Sequence, residues 1–105
     1  MTRWPLPVLI ALLPSLASAG PPPAKPARLG LCAACHGETG NATQAGIPHL
    51  AAQDRGYLAA ALRQYRSGER AAPAMRSATG ALSEADIVAL AAWYAAQTRT
   101  GETAR

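Results

Sequence analysis

Cys32-Ala33-Ala34-Cys35-His36 decides how the rest of this chain is read. Two cysteines three positions apart, followed at once by histidine, form the C-x-x-C-H pattern of covalent haem attachment. On one helical turn both thiols face the same way, so each can add to a vinyl group of one porphyrin. His36 then projects beneath the ring plane and offers an imidazole nitrogen to the iron. Three other readings use the same residues. A thioredoxin-like redox pair needs a strand ahead of the motif in an α/β fold, and the sequence has no strand signal there. A zinc site could be drawn from Cys32, Cys35, His36 and His49, but adjacent Cys35 and His36 strain a tetrahedral set. A plain Cys32–Cys35 disulfide leaves the histidine without a role.

The composition agrees with a domain that leans on something besides its own side chains. The chain has 105 residues, two cysteines, two histidines, two methionines and no phenylalanine. Ten Lys and Arg against six Asp and Glu give +4, and only 15% of residues are charged. That length allows one domain. The hydrophobic fraction is 50%, but much of it is alanine, which buries little area per residue. Below roughly 70–80 residues a single core rarely suffices without a disulfide, a metal or another staple. A multi-domain enzyme, a disulfide-dense miniprotein and a polytopic membrane protein are excluded.

Residues 1–19 read as a secretory signal peptide. Arg3 supplies the charged start, an apolar run follows from position 4 to 16, and Ala17-Ser18-Ala19 has the small-x-small form of a cleavage site. A membrane span needs about 20 apolar residues; this run is shorter and carries prolines at 5, 7 and 14. Cleavage after Ala19 is expected, with export to the periplasm and no stable membrane insertion afterwards. It would leave 86 residues with nine Lys and Arg against six acids, and Met75 as the single methionine.

Residues 20–26 hold four prolines and read as an extended tether, 27–99 as the folded domain and 100–105 as a polar tail. Pro26 suits a first helical turn, which predicts a helix over about 27–35. Residues 37–53, with three glycines, Asn41, two threonines and Pro48, show no sustained period and read as a long loop. Such a loop in a small domain needs something to wrap around. Asp54 can cap a second helix, whose stripe Tyr57, Leu58, Ala61, Leu62 and Tyr65 runs until Gly68 stops it. Arg63, Arg66 and Arg70 near one face read as a solvated surface in preference to a docking patch. Residues 69–82 read as another loop, with Pro73 and Gly80 as breakers. Ser83 and Asp86 form a capping box for a final helix with the stripe Ile87, Leu90, Ala91 and Tyr94. Residues 98–105 read as a polar, frayed end, and the domain is all-α.

Haem iron held by His36 has a sixth position to fill, and a thioether there raises the potential and closes the iron to small ligands. Met75 and His49 are the candidates. Met75 stands 39 residues beyond His36, far enough for the chain to cross to the other face, and the loop reading of 69–82 sets it apart from core methionines. His49 is only 13 residues from His36, in the loop that leaves the proximal turn. Met75 is therefore the expected ligand.

With Cys32-Ala33-Ala34-Cys35-His36-Gly37 and Met75 in place, residues 27–97 resemble a class I monohaem cytochrome c of the small bacterial periplasmic type. Four stretches carry the likeness: 32–40; Ile47-Pro48-His49-Leu50-Ala51-Ala52-Gln53; 57–70; and 75–94, through Leu82-Ser83-Glu84-Ala85-Asp86-Ile87 into Leu90-Ala91-Ala92-Trp93-Tyr94. The resemblance implies three main helices and long loops around one haem c, bound covalently through Cys32 and Cys35. It implies that the Pro48 carbonyl accepts a hydrogen bond from the second nitrogen of His36, that Met75 is the distal ligand, and that Trp93 and Tyr94 pack on the N-terminal helix and the haem wall. It also puts Tyr57 and Arg70 near the haem propionates. The chain departs from the family in its short first helix and in Ala52, which replaces a common glycine and reads as a small change. His49 is at a variable position and reads as exposed.

The function implied is periplasmic electron transfer on one haem with His/Met ligation, without catalysis by the chain itself. The alternative is a haem-bearing relay subunit of a larger periplasmic or membrane-bound oxidoreductase. A third reading, an open iron that senses or reacts with small ligands, requires that Met75 not bind. Partners are redox proteins, an electron donor and an acceptor such as an oxidase or dehydrogenase, met as a monomer or weak dimer. With its arginines scattered and no basic-aromatic patch, the chain is not expected to bind nucleic acid.

Overall fold

The computed structural model describes residues 2–12 and 20–100. The expected cleavage site at 17–19 and tail residues 101–105 lie outside them. Four helices run in chain order, α1 (Leu29–His36), α2 (Arg55–Ser67), α3 (Pro73–Thr79) and α4 (Glu84–Ala95), with no strand among the described residues. None is long and apolar enough to cross a membrane. The three main helices expected are α1, α2 and α4, and α3 is a fourth. Its ends are the two residues that read as loop breakers. Pro73 occupies the first turn, where its missing N–H costs nothing, and Gly80 follows the last residue. Seven residues are too few to show a helical period. Met75 therefore rides on a short helix rather than on a loop.

The other helix ends follow the local chemistry that the sequence displays. The Asp54 carboxylate accepts the Tyr57 N–H at 2.7 Å, and Gly68 ends α2 in the left-handed region. At α4 the Ser83 hydroxyl accepts the Asp86 N–H, and the Asp86 carboxylate accepts the Ser83 N–H, each at 3.0 Å. α1 begins two residues later than expected, after a turn closed by the Leu29 N–H on the Pro26 carbonyl at 3.1 Å, and it extends through His36.

α2 and α4 pack against each other, and Leu29 of α1 joins Leu58, Leu82, Ile87, Leu90 and Tyr94 in one cluster. Each fully buried aliphatic side chain contributes about 1.5–3 kcal/mol. Arg63 and Arg70 are exposed and Arg66 is partly so, and Arg63 and Arg66 have partners. Arg63 Nε donates to both Glu84 oxygens at 2.8 and 3.1 Å, and Arg66 donates to the Leu82 carbonyl at 3.1 Å. The proline-rich stretch is extended, as its composition demands, yet it does not hang free. Gly20, Pro21 and Pro23 share a groove with Arg55, Ala92, Ala95 and Ala96, and Lys25 pairs with Glu38 at 2.8 Å.

The loop over 37–53 is stapled to α4. The Gly40 carbonyl accepts the N–H groups of Leu50 and Ala51 at 2.8 and 3.1 Å, and the Ala52 N–H reaches the Tyr94 carbonyl at 3.1 Å. The Asn41 amide donates to the Thr98 carbonyl at 3.0 Å, and its oxygen accepts the Thr100 N–H at 2.9 Å. Residues 98–100 are thus tied to the loop rather than frayed. Ala52 has φ 60°, so its substitution for glycine is not a small change: it stands where a side chain is strained.

Two substitutions test this closure. Gly40 has φ 77°, and a Cβ there would lie 2.6 Å from the Ala51 nitrogen and 2.7 Å from the Tyr94 ring. Gly40→Ala should therefore cost about 2–5 kcal/mol. Ala52→Gly should add about 0.5–1 kcal/mol by relieving the left-handed alanine. The denaturant midpoints of the two variants should move in opposite directions from that of the parent.

Candidate functional site

Between the helices lies a largely apolar cavity of about 450 Å³, to which α1, the 37–53 loop, α2, α3 and α4 all contribute walls. Cys32, Cys35 and His36 line it from α1, Leu58 and Leu62 from α2, Met75 and Thr79 from α3, and Leu90 from α4. The volume falls within the range of about 300–1,000 Å³ usual for cofactor pockets.

His36 is 7% exposed, and its Nδ1 lies 2.9 Å from the Pro48 carbonyl oxygen. A carbonyl only accepts, so Nδ1 carries the proton and Nε2 keeps its lone pair for a metal. Cys32 and Cys35 are free thiols one turn apart on the same helix, and burial pushes the Cys32 thiol above its ordinary value. Among the described residues no group of three or more His, Cys, Asp and Glu is gathered as a set of metal ligands. One imidazole nitrogen, two thiols and one thioether on the walls of an apolar cavity are the donor set of a covalently tethered haem, and the residues fit it.

Met75 is half-buried and contributes to the cavity from α3. His49 also borders the cavity, but it is exposed, and its Nδ1 already accepts the Ala42 N–H at 3.0 Å. It follows Pro48 directly, so it belongs to the stretch already committed to His36. Tyr57, Tyr65 and Arg70 all line the cavity, and the Arg70 guanidinium stands 4.9 Å from the Tyr65 ring centroid, beside Tyr57. Arg70 thus brings a cation to a wall otherwise supplied with tyrosine hydroxyls.

Trp93 is the expected site residue that the structure places elsewhere. It is not among the cavity-lining residues; its indole N–H donates to the Glu38 carbonyl at 2.7 Å. Adjacent positions on a helix point about 100° apart, and it is Tyr94 that lines the cavity. The Tyr94 hydroxyl donates to the Gly37 carbonyl at 3.0 Å, and burial holds its phenol protonated by raising its pKa. Two neighbouring aromatics therefore grip the two carbonyls that follow His36. Tyr65, expected in the core stripe of α2, and Thr79, which carries no expectation, both line the cavity. Tyr65 was within reach, because it repeats the Tyr57 face two turns on. Nothing local marks Thr79.

A family model described as "Cytochrome C oxidase, cbb3-type, subunit III" matches residues 28–93. The chain is 36% identical over 73 residues to cytochrome c-554(548) of Halomonas halodenitrificans, covering 67% of this chain and 88% of the relative. It is 34% identical over 80 residues to cytochrome c4 of Pseudomonas aeruginosa, covering 76% of this chain and 40% of that one. Against the thiosulfate dehydrogenase electron acceptor of Stutzerimonas stutzeri it is 37% identical over 99 residues, covering 86% of this chain and 45% of the relative. The chain thus spans less than half the length of the latter two.

The grip of α4 can be tested by one hydroxyl. Tyr94 is 3% exposed, so Tyr94→Phe leaves the Gly37 carbonyl without this donor. The substitution should lower the unfolding free energy by about 1–2 kcal/mol in chemical denaturation.

Proposed function

The chain belongs to the class I c-type cytochromes, and from that premise we propose an exported one-haem electron carrier whose iron is held by His36 and Met75. Haem c is attached covalently through Cys32 and Cys35, and the chain carries electrons rather than transforming substrates itself. When bound, the haem supplies a one-electron ferric/ferrous couple.

The observation that carries the ligation is the His36–Pro48 hydrogen bond at 2.9 Å, on a wall of the cavity that Met75 shares. The Pro48 carbonyl fixes the tautomer and the orientation of the imidazole and raises its basicity. Met75 offers a neutral, polarisable sulfur from a separate element. The cavity that would enclose both ligands is largely apolar, and Tyr57 and Arg70, which also line it, would receive the haem carboxylates. Because the same two ligands serve both oxidation states, little in the chain has to move with each electron.

Export after Ala19 puts this carrier in the periplasm, where a covalent tether prevents cofactor loss. Its partners are an electron donor and an acceptor, such as a dehydrogenase and an oxidase, engaged through a small and transient interface. A second reading is favoured by the family match to an oxidase subunit. There the domain would relay electrons while docked in a larger oxidoreductase. Stable co-purification with a larger protein would select the docked form.

The test is a reduced-minus-oxidised visible spectrum with denatured mass, on protein exported in a host that carries haem-attachment machinery. The expected outcome is a mass increment of one haem from Gly20 onward, with sharp low-spin reduced bands. Met75→Ala should abolish the long-wavelength band of thioether-ligated ferric haem and open the reduced iron to carbon monoxide. A colourless protein of apo mass, made where a control cytochrome matures, would overturn the haem reading. An unchanged band in Met75→Ala would overturn the ligation.

A further inference from the structure

Among the described residues, and apart from the Tyr94 phenol that α4 gives to Gly37, two polar side chains are buried: His36, at 7% exposure, and Thr79, at 1%. Thr79 belongs with Leu29, Ile87 and Leu90 as the largest side chains that are fully buried. The other three are aliphatic, and valine would fill the same volume as threonine without a hydroxyl to desolvate. A hydroxyl at such a site is costly unless it is bonded. Thr79 Oγ1 is bonded: it donates to the Met75 carbonyl at 2.7 Å, with a longer 3.5 Å approach to the Arg76 carbonyl.

The helix that carries this contact needs it. α3 has seven residues, its N-cap Ala72 offers no side-chain acceptor, and Thr79 is its single buried member. A helix of two turns has almost no stability of its own. Arg76 supplies a second anchor, with its guanidinium packed over Gly68 at the end of α2. That contact holds the helix in place but does not bear on Met75 directly. Thr79 joins the core to the backbone of Met75 through its hydroxyl, and both residues line the cavity.

We propose that Thr79 is a positioning residue for the distal ligand: its hydroxyl fixes the Met75 backbone so that the thioether is presented to the iron. The inference rests on the Met75 ligation proposed above. It makes His36 and Thr79 counterparts, one being the proximal ligand and the other the anchor of the distal one.

The test compares Thr79→Val, which keeps the shape and loses the hydroxyl, with Thr79→Ser, which keeps the hydroxyl. The haem-loaded proteins are read by the ferric thioether band, the midpoint potential and the rate of carbon monoxide binding to the reduced form. Carbon monoxide must wait for the thioether to leave, so its rate reports how firmly Met75 is held. Thr79→Val should bind it about three- to tenfold faster, the factor that a lost net hydrogen bond gives. Its band should weaken and its potential fall, while Thr79→Ser stays near the parent. If valine alters only the denaturation midpoint and leaves band, potential and rate unchanged, Thr79 is core filler and the proposal fails. Should the valine variant not fold, Thr79→Ser and Thr79→Ala ask the same question, since both lack the methyl and only alanine lacks the hydroxyl; equal rates would overturn the proposal. If the parent itself lacks the band and binds carbon monoxide as fast as Met75→Ala, the ligation reading fails, and the role of Thr79 falls with it.

Discussion

The hydrogen bond between His36 Nδ1 and the Pro48 carbonyl, 2.9 Å long, joins the end of α1 to a point twelve residues further along the chain. It sets the imidazole, and it also fixes the path of the loop between them. That loop cannot fold on propensity alone, because its glycines and asparagine favour turns of many kinds. Its geometry comes from a few carbonyls that are each claimed from outside. Pro48 is claimed by His36, Gly37 by Tyr94 and Glu38 by Trp93, while Gly40 closes on Leu50 and Ala51. His36 is therefore positioned by backbone acceptors, which side-chain variation leaves in place.

α4 is the element that makes these claims effective. Its inner stripe, Ile87, Leu90, Ala91 and Tyr94, packs with α2 and Leu29. Its outer aromatic, Trp93, reaches the loop instead. Immediately beyond the helix, Thr98 and Thr100 meet Asn41. The proline strap shares a groove with small side chains at the end of the same helix, Ala92, Ala95 and the C-cap Ala96. One helix thus joins core, loop and N-terminal strap, which suits a chain whose first helix is only eight residues long.

Much of this was legible beforehand, for reasons that differ from residue to residue. The caps at Asp54, Gly68 and Ser83 lie within three residues of the atoms they serve, so their meaning is local. The C-x-x-C-H spacing is a mechanical requirement written on one helical turn. α3 was hidden because Pro73 and Gly80 signal a break as readily as they bound a short helix. Ala52 was misjudged because its left-handed backbone is imposed by the Tyr94 carbonyl, 42 residues away. Trp93 was assigned to the cavity by analogy with an aromatic pair, whereas its indole N–H required an acceptor and found Glu38. The packing of the strap depends on alanines whose pattern reveals nothing until α4 is in place.

The two ligand walls are built on different principles, and the difference bears on how the molecule works. His36 ends a helix whose far end is buried through Leu29, and its ring is bonded to a loop that α4 holds at several points. Met75 sits on two turns of helix with one buried foot, Thr79, and one surface anchor, Arg76 over Gly68. Packing supports both walls as well: α3 lies against α2, and Leu29 of α1 joins the core cluster. The two walls belong to separate helices, α1 with Cys32, Cys35 and His36 and α3 with Met75. In the ligation proposed above, substitutions in α3 would therefore bear on Met75 while leaving the helix of the C-x-x-C-H motif untouched.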